Sequence, residues 1–383
     1  MNGLPALVHV NLSRAIGGAE IYTTFFIRAL AGQGWRNRLV TRVGAGYWDA
    51  LDAGPAQRIA IADDAELAGL LQPGDIVIVH SPVREDALAA TARRAFVCGV
   101  AHAAIDDGVY PAYYDAAGLM LGVSRFVLDG LLAHGIRRLH PEPLLGFADL
   151  SRQRSDAVVR SAPLCEWDRR KFRDRVFKLA AAAVAPWRAP RAYTRRPGLA
   201  LGIVSRLAAQ KQFPALFRAI APAIAAQPGV HLEIYGAAIG YKELRELRRA
   251  LQPIADRVRY WGYQTNVAAV YRTFDYLLPG LPEREALGLN LIESCALGTP
   301  VLAVRAPPFT EIVHEGATGF FYADPRHDDG ADFARVLREI VEGRLQIDRT
   351  AMAPHLAEFS FDRFALRADA AMRAAAAAAG KAS

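Results

Sequence analysis

Two carboxylates with seven residues between them, Glu285 and Glu293, flank a loop and a helical pattern within YLLPGLPEREALGLNLIESCALGTPVLAV, residues Tyr276 to Val304. A pair so placed could hold two ends of one extended polar ligand. If the helix begins near Leu287 or Gly288, Glu293 lies about 9 Å further along its axis, at 1.5 Å per residue. Between the two acids, Ala286, Leu287, Gly288 and Leu289 would present backbone N–H groups that lack intrahelical acceptors, where the macrodipole favours a phosphate. Gly288 would let that backbone come close to a ligand. The same residues also read as ordinary helix chemistry, with Glu283 and Glu285 as favourable N-terminal charges and Glu293 as a solvated helix residue.

A second group of chemically able residues is cationic. Arg206 and Lys211 follow the apolar run Leu199 to Val204 at a spacing of five. Arginine offers a planar fork of donors and lysine a compact charge, a combination suited to the oxygens of a diphosphate. As plain surface charges they would need no ligand. Gly17 and Gly18 sit where the loop after the first apolar run would bring backbone amides to an anion, although glycines also make plain turns. His80 and His102 each stand just beyond an apolar run, a place where histidine often serves as a structural hydrogen-bonding residue as well as a catalytic one.

These residues need elements to hold them. The apolar runs Ala6 to Leu12, Asn37 to Val43, Arg58 to Ile61, Asp75 to His80, Phe96 to Ala101 and Gly118 to Val123 read as strands. Helical patterns near Glu20 to Gly32, Ala65 to Leu71 and Glu85 to Arg94 alternate with them. Further strands are expected at Leu199 to Val204, His231 to Tyr235, Val258 to Trp261, Tyr276 to Leu278 and Val301 to Val304, and the chain ends in helices. Strands alternating with helices predict parallel sheets covered on both faces, with ligands at the carboxyl ends of the strands. The helix after Glu285 should stop at Gly298, with Pro300 closing it off.

At 383 residues the chain exceeds one ordinary core, and two domains are expected. Hydrophobic residues make up 52% and charged residues 22%, the composition of a globular protein and not of a disordered one. Three scattered cysteines, Cys98, Cys165 and Cys295, show neither a disulfide framework nor metal-ligand spacing, and no Asp-x-Asp occurs. A cytoplasmic setting is expected, because the start shows no signal-peptide pattern and no run approaches the ~20 apolar residues of a membrane span. The net charge of +7 is concentrated: residues 151–200 hold 13 Lys and Arg against 4 Asp and Glu, which leaves −2 for the rest. Phe172, Val176, Phe177, Leu179 and Trp187 are interleaved among those charges, so residues 151–196 are a candidate for peripheral contact with an anionic membrane. A solvated helix packed by its apolar stripe is the alternative. No zinc-finger, helix-turn-helix or aromatic-interleaved motif accompanies the basic stretch, so nucleic acid is not an expected partner.

The chain resembles the retaining glycosyltransferases of family four, which have the GT-B fold. Their Glu-x7-Glu signature is matched by Pro279, Glu285, Gly288, Leu289, Glu293, Ala296, Gly298, Pro300, Val301, Glu311, Gly316 and Gly319. Gly17-Gly18-Ala19-Glu20 resembles the family's opening GG-x-E loop, and Ser205-Arg206-Leu207 with Lys211 its G-R-L-x-x-x-K element. Departures are Ala286-Leu287 for Gly-Phe, Pro307-Pro308 for Gly-Gly, Ser205 and Gln212 for glycines, and the loss of Asn from the turn ending at Asp149. The resemblance implies two Rossmann-like domains facing across a cleft, at 1–186 and 199–360, with a linker at 187–198 and a terminal helix from 361 crossing back. It implies transfer of a sugar, a hexose in the commonest case, from a nucleotide diphosphate sugar to a hydroxyl of a glycan or lipid-linked acceptor, without a metal, in assembly of bacterial cell-surface polysaccharide or lipopolysaccharide. On this resemblance Glu285 and His102 face the transferred sugar, and Glu293 the ribose. Arg206, Lys211, the amides of 286–289 and the Gly17-Gly18 loop face the diphosphate, and the loop at Tyr263 holds the base. A nucleotide-sugar epimerase and a non-catalytic nucleotide-sugar-binding protein would share this donor site.

Overall fold

The computed structural model describes residues 4–14, 16–105, 110–150, 156–165, 190–238, 240–348 and 350–382. Two compact units emerge, Met1–Ala148 with Ala357–Ser383, and Asp149–Leu356. The sequence reading instead broke the chain at 186 and at 361. Residues 156–165 explain the first difference: Ala162 N–H donates to Trp261 at 2.7 Å, Ala238 N–H donates to Leu164 at 2.8 Å, and Arg160 bridges to Ala192. This segment therefore belongs with the second unit. Most of the basic stretch 151–196, including the interleaved aromatic residues, lies outside the described residues.

The first unit is a six-stranded parallel sheet of β1 (Leu7–Asn11), β2 (Asn37–Arg42), β3 (Gln57–Ile61), β4 (Ile76–Val79), β5 (Phe96–Ala101) and β6 (Leu119–Gly122). Their spatial order is β3-β2-β1-β4-β5-β6. The central strands β1 and β4 are buried along their whole length, as expected of a sheet covered on both faces. The C-terminal helix Phe361–Ala382 completes this unit: Phe364 is fully buried against Tyr22, Phe26 and Phe147, and Trp35 donates to Asp369 at 2.8 Å.

The second unit repeats the plan. Its strands are β7 (Leu199–Val204), β8 (Val230–Tyr235), β9 (Val258–Gly262), β10 (Tyr276–Leu277), β11 (Val301–Val304) and β12 (Gly319–Tyr322), in the order β12-β11-β10-β7-β8-β9, all parallel. Relabelled from its own first strand, this is the 3-2-1-4-5-6 order of the first unit. The order reverses direction between β7 and β10, and such a switch point opens a crevice at the carboxyl ends of the two strands. Two parallel six-stranded sheets with helices packed around them constitute the two-domain α/β GT-B fold.

Glu233 marks how closely this sheet is tied to the chain before it. Its carboxylate, fully buried in the middle of β8, accepts from Arg259 at 2.9 and 3.0 Å, from Arg196 at 3.1 Å and from Trp261 at 2.7 Å. A buried charge is tolerable only when paired and hydrogen-bonded this fully.

Candidate active site

At the switch point of the second unit two of the sequence-predicted residues meet. Lys211 lies in the loop after β7 and Glu285 in the loop after β10, 74 positions later, and their side chains form a direct ion pair. The pair is mostly withdrawn from water, with side-chain exposures of 27% and 16%. Main chain sets its position. Leu281 N–H donates to the carbonyl of Lys211 at 3.3 Å, and a Cβ added at Gly280 would lie 2.0 Å from that same oxygen. Only glycine at 280 permits the two loops to approach so closely.

The helix following Glu285 runs Leu289–Ala296, one or two residues later than the sequence suggested. Gly288 takes its N-cap position at φ +93°, in left-handed space, and no side chain caps the helix. A glycine there suits the backbone and leaves the first-turn amides without a side-chain acceptor. The far end closes as predicted at Gly298, with φ +78°. Thr299 N–H reaches Ser294 and Gly298 N–H reaches Cys295, both at 2.9 Å, the paired bonds of a Schellman motif. Asn290 fixes the helix start against the sheet by donating to the carbonyl of Val204, the last residue of β7, at 3.2 Å.

Glu293 lies on this helix and is half-buried. Desolvation raises its carboxyl from the ordinary 4.5 to about 7, against the hydrogen bond from Tyr271 that lowers it. The hydroxyl of Tyr271 stands 3.1 Å from Glu293 Oε2 and 3.0 Å from the carbonyl of Asn290. One hydroxyl proton cannot fully satisfy two acceptors. With Glu293 protonated, the carboxyl can donate to Tyr271 while Tyr271 donates to Asn290, and every group is served.

Other predicted residues are placed as follows. Arg206 is exposed, and among the described residues no ion pair or hydrogen bond engages its guanidinium. Tyr263, 53% exposed, follows Gly262, where φ is +73° and a Cβ would lie 2.2 Å from the carbonyl of Ala162. The loop expected to hold a base is thus backed by residues 162–163. Gly17 caps the helix Gly18–Gly32 of the first unit, and a Cβ at Gly18 would meet open space. His102, also in the first unit, ends a row of three histidines: its Nε2 is 3.1 Å from His80 Nδ1, and His80 Nε2 is 3.1 Å from His9 Nδ1. Burial lowers His9 to about 4 and His102 to about 3, and sets His80 well below its usual range, so all three rings are neutral near pH 7.

Sequence reasoning passed over Tyr271, Asn290, His9 and Asn37. Apart from the local bond of Asn37 to Trp35, their partners lie 19 to 86 positions away, beyond any local pattern. For His9 a signal existed, since a lone polar residue in the buried run Leu7-Val8-His9-Val10 calls for a partner. Among the described residues no cluster of three His, Cys, Asp or Glu side chains is arranged to hold a metal ion, and no helix is long and apolar enough to cross a membrane.

Residues 198–342, the core of the second unit, match the family model described as Glycosyl transferases group 1. The D-inositol 3-phosphate glycosyltransferase of Actinosynnema mirum is 31% identical over 183 residues, 43% of this chain and 42% of that protein. The lipopolysaccharide core biosynthesis mannosyltransferase LpsB of Rhizobium meliloti is 38% identical over 84 residues, 21% of this chain and 23% of that protein. The chain thus spans under half the length of the curated relatives it matches. Whole-chain similarity comes from structure: Anabaena Alr3699/HepE, solved in complex with UDP, superposes with a TM-score of 0.69 at 15% identity, covering 96% of this chain and all of that one.

Proposed function

We propose that this chain is a retaining glycosyltransferase that moves a sugar, most simply a hexose, from a nucleotide diphosphate sugar to a hydroxyl acceptor. The observation that carries the reading is the Lys211–Glu285 pair at the switch crevice, beside an uncapped helix start, inside the segment that matches the group 1 glycosyltransferases. UDP bound to HepE supports a uridine diphosphate donor, and the partial match to LpsB supports assembly of lipopolysaccharide or another cell-surface glycan.

Cleavage of the sugar–phosphate bond builds negative charge on the departing diphosphate. Arg206 supplies an unengaged guanidinium for it. Lys211 has three donors, so one can remain on Glu285 while two meet phosphate oxygens. The first-turn amides beginning at Leu289 add partial positive charge fixed in place beforehand, which is worth more than charge that must reorganise. These groups supply the stabilisation that a divalent metal would otherwise provide. Glu285, held by Lys211, accepts from hydroxyls of the transferred sugar, and Glu293 from the ribose. Retention follows from same-face attack assisted by the leaving phosphate, with no protein nucleophile assigned.

The test is an anomeric NMR assay with α-linked UDP-sugars and simple glycan acceptors, run in chelator. An α-linked product that forms only when acceptor is present supports the proposal. Inverted product, or donor consumed equally without acceptor as an epimerase would consume it, refutes it.

A further inference from the structure

The three histidines of the first unit form a directional hydrogen-bond chain, and its direction can be read from one end. Asn37 Nδ2 lies 2.9 Å from the carbonyl of Trp35, and a carbonyl only accepts, so the amide nitrogen must face it. The amide oxygen therefore faces His9 Nε2, 3.0 Å away, and that nitrogen must carry a proton. In a neutral ring His9 Nδ1 is then an acceptor, so His80 Nε2 donates to it across 3.1 Å. The same step repeats: His80 Nδ1 accepts from His102 Nε2, again across 3.1 Å. His102 Nδ1 is left with a lone pair and no proton, and among the described residues no hydrogen bond engages it.

Packing holds the rings to this arrangement. His9 and His80 stack at 5.4 Å between centroids with planes 19° apart, and His80 and His102 at 5.4 Å and 27°. Phe26 lies edge-on to His9 and His80, and Tyr22 edge-on to His102 at 5.1 Å. His9 and His80 are 0% and 3% exposed, while His102 keeps an open side. The chain starts at a neutral, half-buried amide, and none of its hydrogen bonds among the described residues reaches a carboxylate. Its geometry suits orientation and not proton conduction.

We infer that Asn37, His9 and His80 are positioning residues that lock His102 in its Nε2–H tautomer, so that Nδ1 acts solely as an acceptor for a hydroxyl of the ligand. A tautomer fixed by the hydrogen bond on the opposite nitrogen is how proteins choose which face of an imidazole they offer. The part of this inference that names a sugar hydroxyl rests on the proposed glycosyl transfer. The tautomer itself does not.

The experiment is long-range 1H–15N correlation of histidine rings in the full chain, selectively labelled with 15N-histidine, with assignment by single substitution. The expected result is a protonated Nε2 and a bare Nδ1 on His9, His80 and His102 alike at pH 7. His102 found as the Nδ1–H form, as imidazolium, or as an exchange average overturns the inference. Asn37→Leu removes the anchoring acceptor while leaving the rings in place, and it should convert His102 to a mixture of tautomers. His80→Phe, which breaks the chain in the middle, should do the same. In either variant kcat should fall about tenfold with the Kd of nucleoside diphosphate unchanged, since neither Asn37 nor His80 is among the residues assigned to the diphosphate. A single Nε2–H tautomer that persists at His102 in both variants refutes the chain as its cause. A changed tautomer with unchanged kcat refutes the ligand role assigned to His102 and leaves glycosyl transfer to be judged by the anomeric assay.

Discussion

Replacing Glu293 with glutamine should change how the protein's stability responds to pH, and the sign is fixed by the site. The Glu293 carboxyl is raised from 4.5 to about 7, so the folded protein favours its protonated form. A group raised on folding contributes stability that is fully present below the unfolded value and is lost as pH rises through the folded one. At about 1.4 kcal/mol per pH unit, the whole shift is worth ~3 kcal/mol. Glu293 keeps part of its surface in water, which screens it, so about half of that is the expected signal. Glutamine keeps the shape and cannot ionise. The stability of the wild type relative to Glu293→Gln, from urea midpoints measured across the pH range, should therefore fall by ~1.5 kcal/mol between about pH 4.5 and pH 7.5. Taking the difference cancels the other titrating groups. If nucleotide ribose donates to ionised Glu293, binding of nucleoside diphosphate near pH 6 should also release a proton, detectable by calorimetry in two buffers of different ionisation enthalpy. A difference curve flat across the window, or one that rises, would show that Tyr271 and burial do not control this carboxyl.

Other consequences concern the proposed diphosphate and sugar contacts. Arg206→Ala or Lys211→Ala should weaken free nucleoside diphosphate by roughly ten- to a hundredfold, since a charge-assisted contact is worth about 1.5–3 kcal/mol; unchanged affinity by calorimetry removes that residue from the site. Glu285→Gln should depress turnover strongly with nucleotide affinity nearly normal, whereas Glu293→Gln should raise the donor KM, and equal loss of nucleotide affinity in both would undo the division of roles. Gly288→Ala places a side chain at φ +93° with its Cβ 2.9 Å from Leu291, so a stability loss of about 1–2 kcal/mol in denaturant is expected, and a neutral result would contradict the cap geometry. For the basic stretch, reversing the charge of Arg169, Arg170, Lys171 and Arg173 should abolish sedimentation with anionic vesicles at low salt while soluble-acceptor turnover persists; binding that survives reversal would rule out that contact.

Strand positions were legible in the sequence because buried parallel strands are continuous apolar runs, and eleven of the twelve were anticipated within a residue or two. The exception, β12 at Gly319–Tyr322, is four residues long and starts with glycine, so its pattern reads as a turn. Gly298 and Pro300 gave away the end of the helix after Glu285. Its start was harder to place, because Gly288 works through a backbone angle that leaves no side-chain cap to read. Lys211 and Glu285 were each visible, but their pairing depends on β7 and β10 being neighbours, which sheet order decides and periodicity does not. The histidine chain was hidden for the same reason, since β1, β4 and β5 become adjacent only once the sheet is assembled. Residues 156–165 were misplaced because their partners, Trp261 and Ala238, come some 70 to 100 positions later.

The backbone contact beneath Lys211 determines how variants of that residue should be interpreted. Its carbonyl is gripped by Leu281 N–H and hemmed in by Gly280, so the peptide at 211 is located without help from its own side chain. Whatever side chain is installed there leaves the scaffold from the same origin. Position 211 is accordingly a fixed mount, on which lysine can be exchanged for a longer, shorter or neutral group while the loop beneath stays registered. A series of such replacements would grade charge and reach separately, giving a chemical ruler for the contact proposed at Lys211 and not a catalogue of rearranged loops.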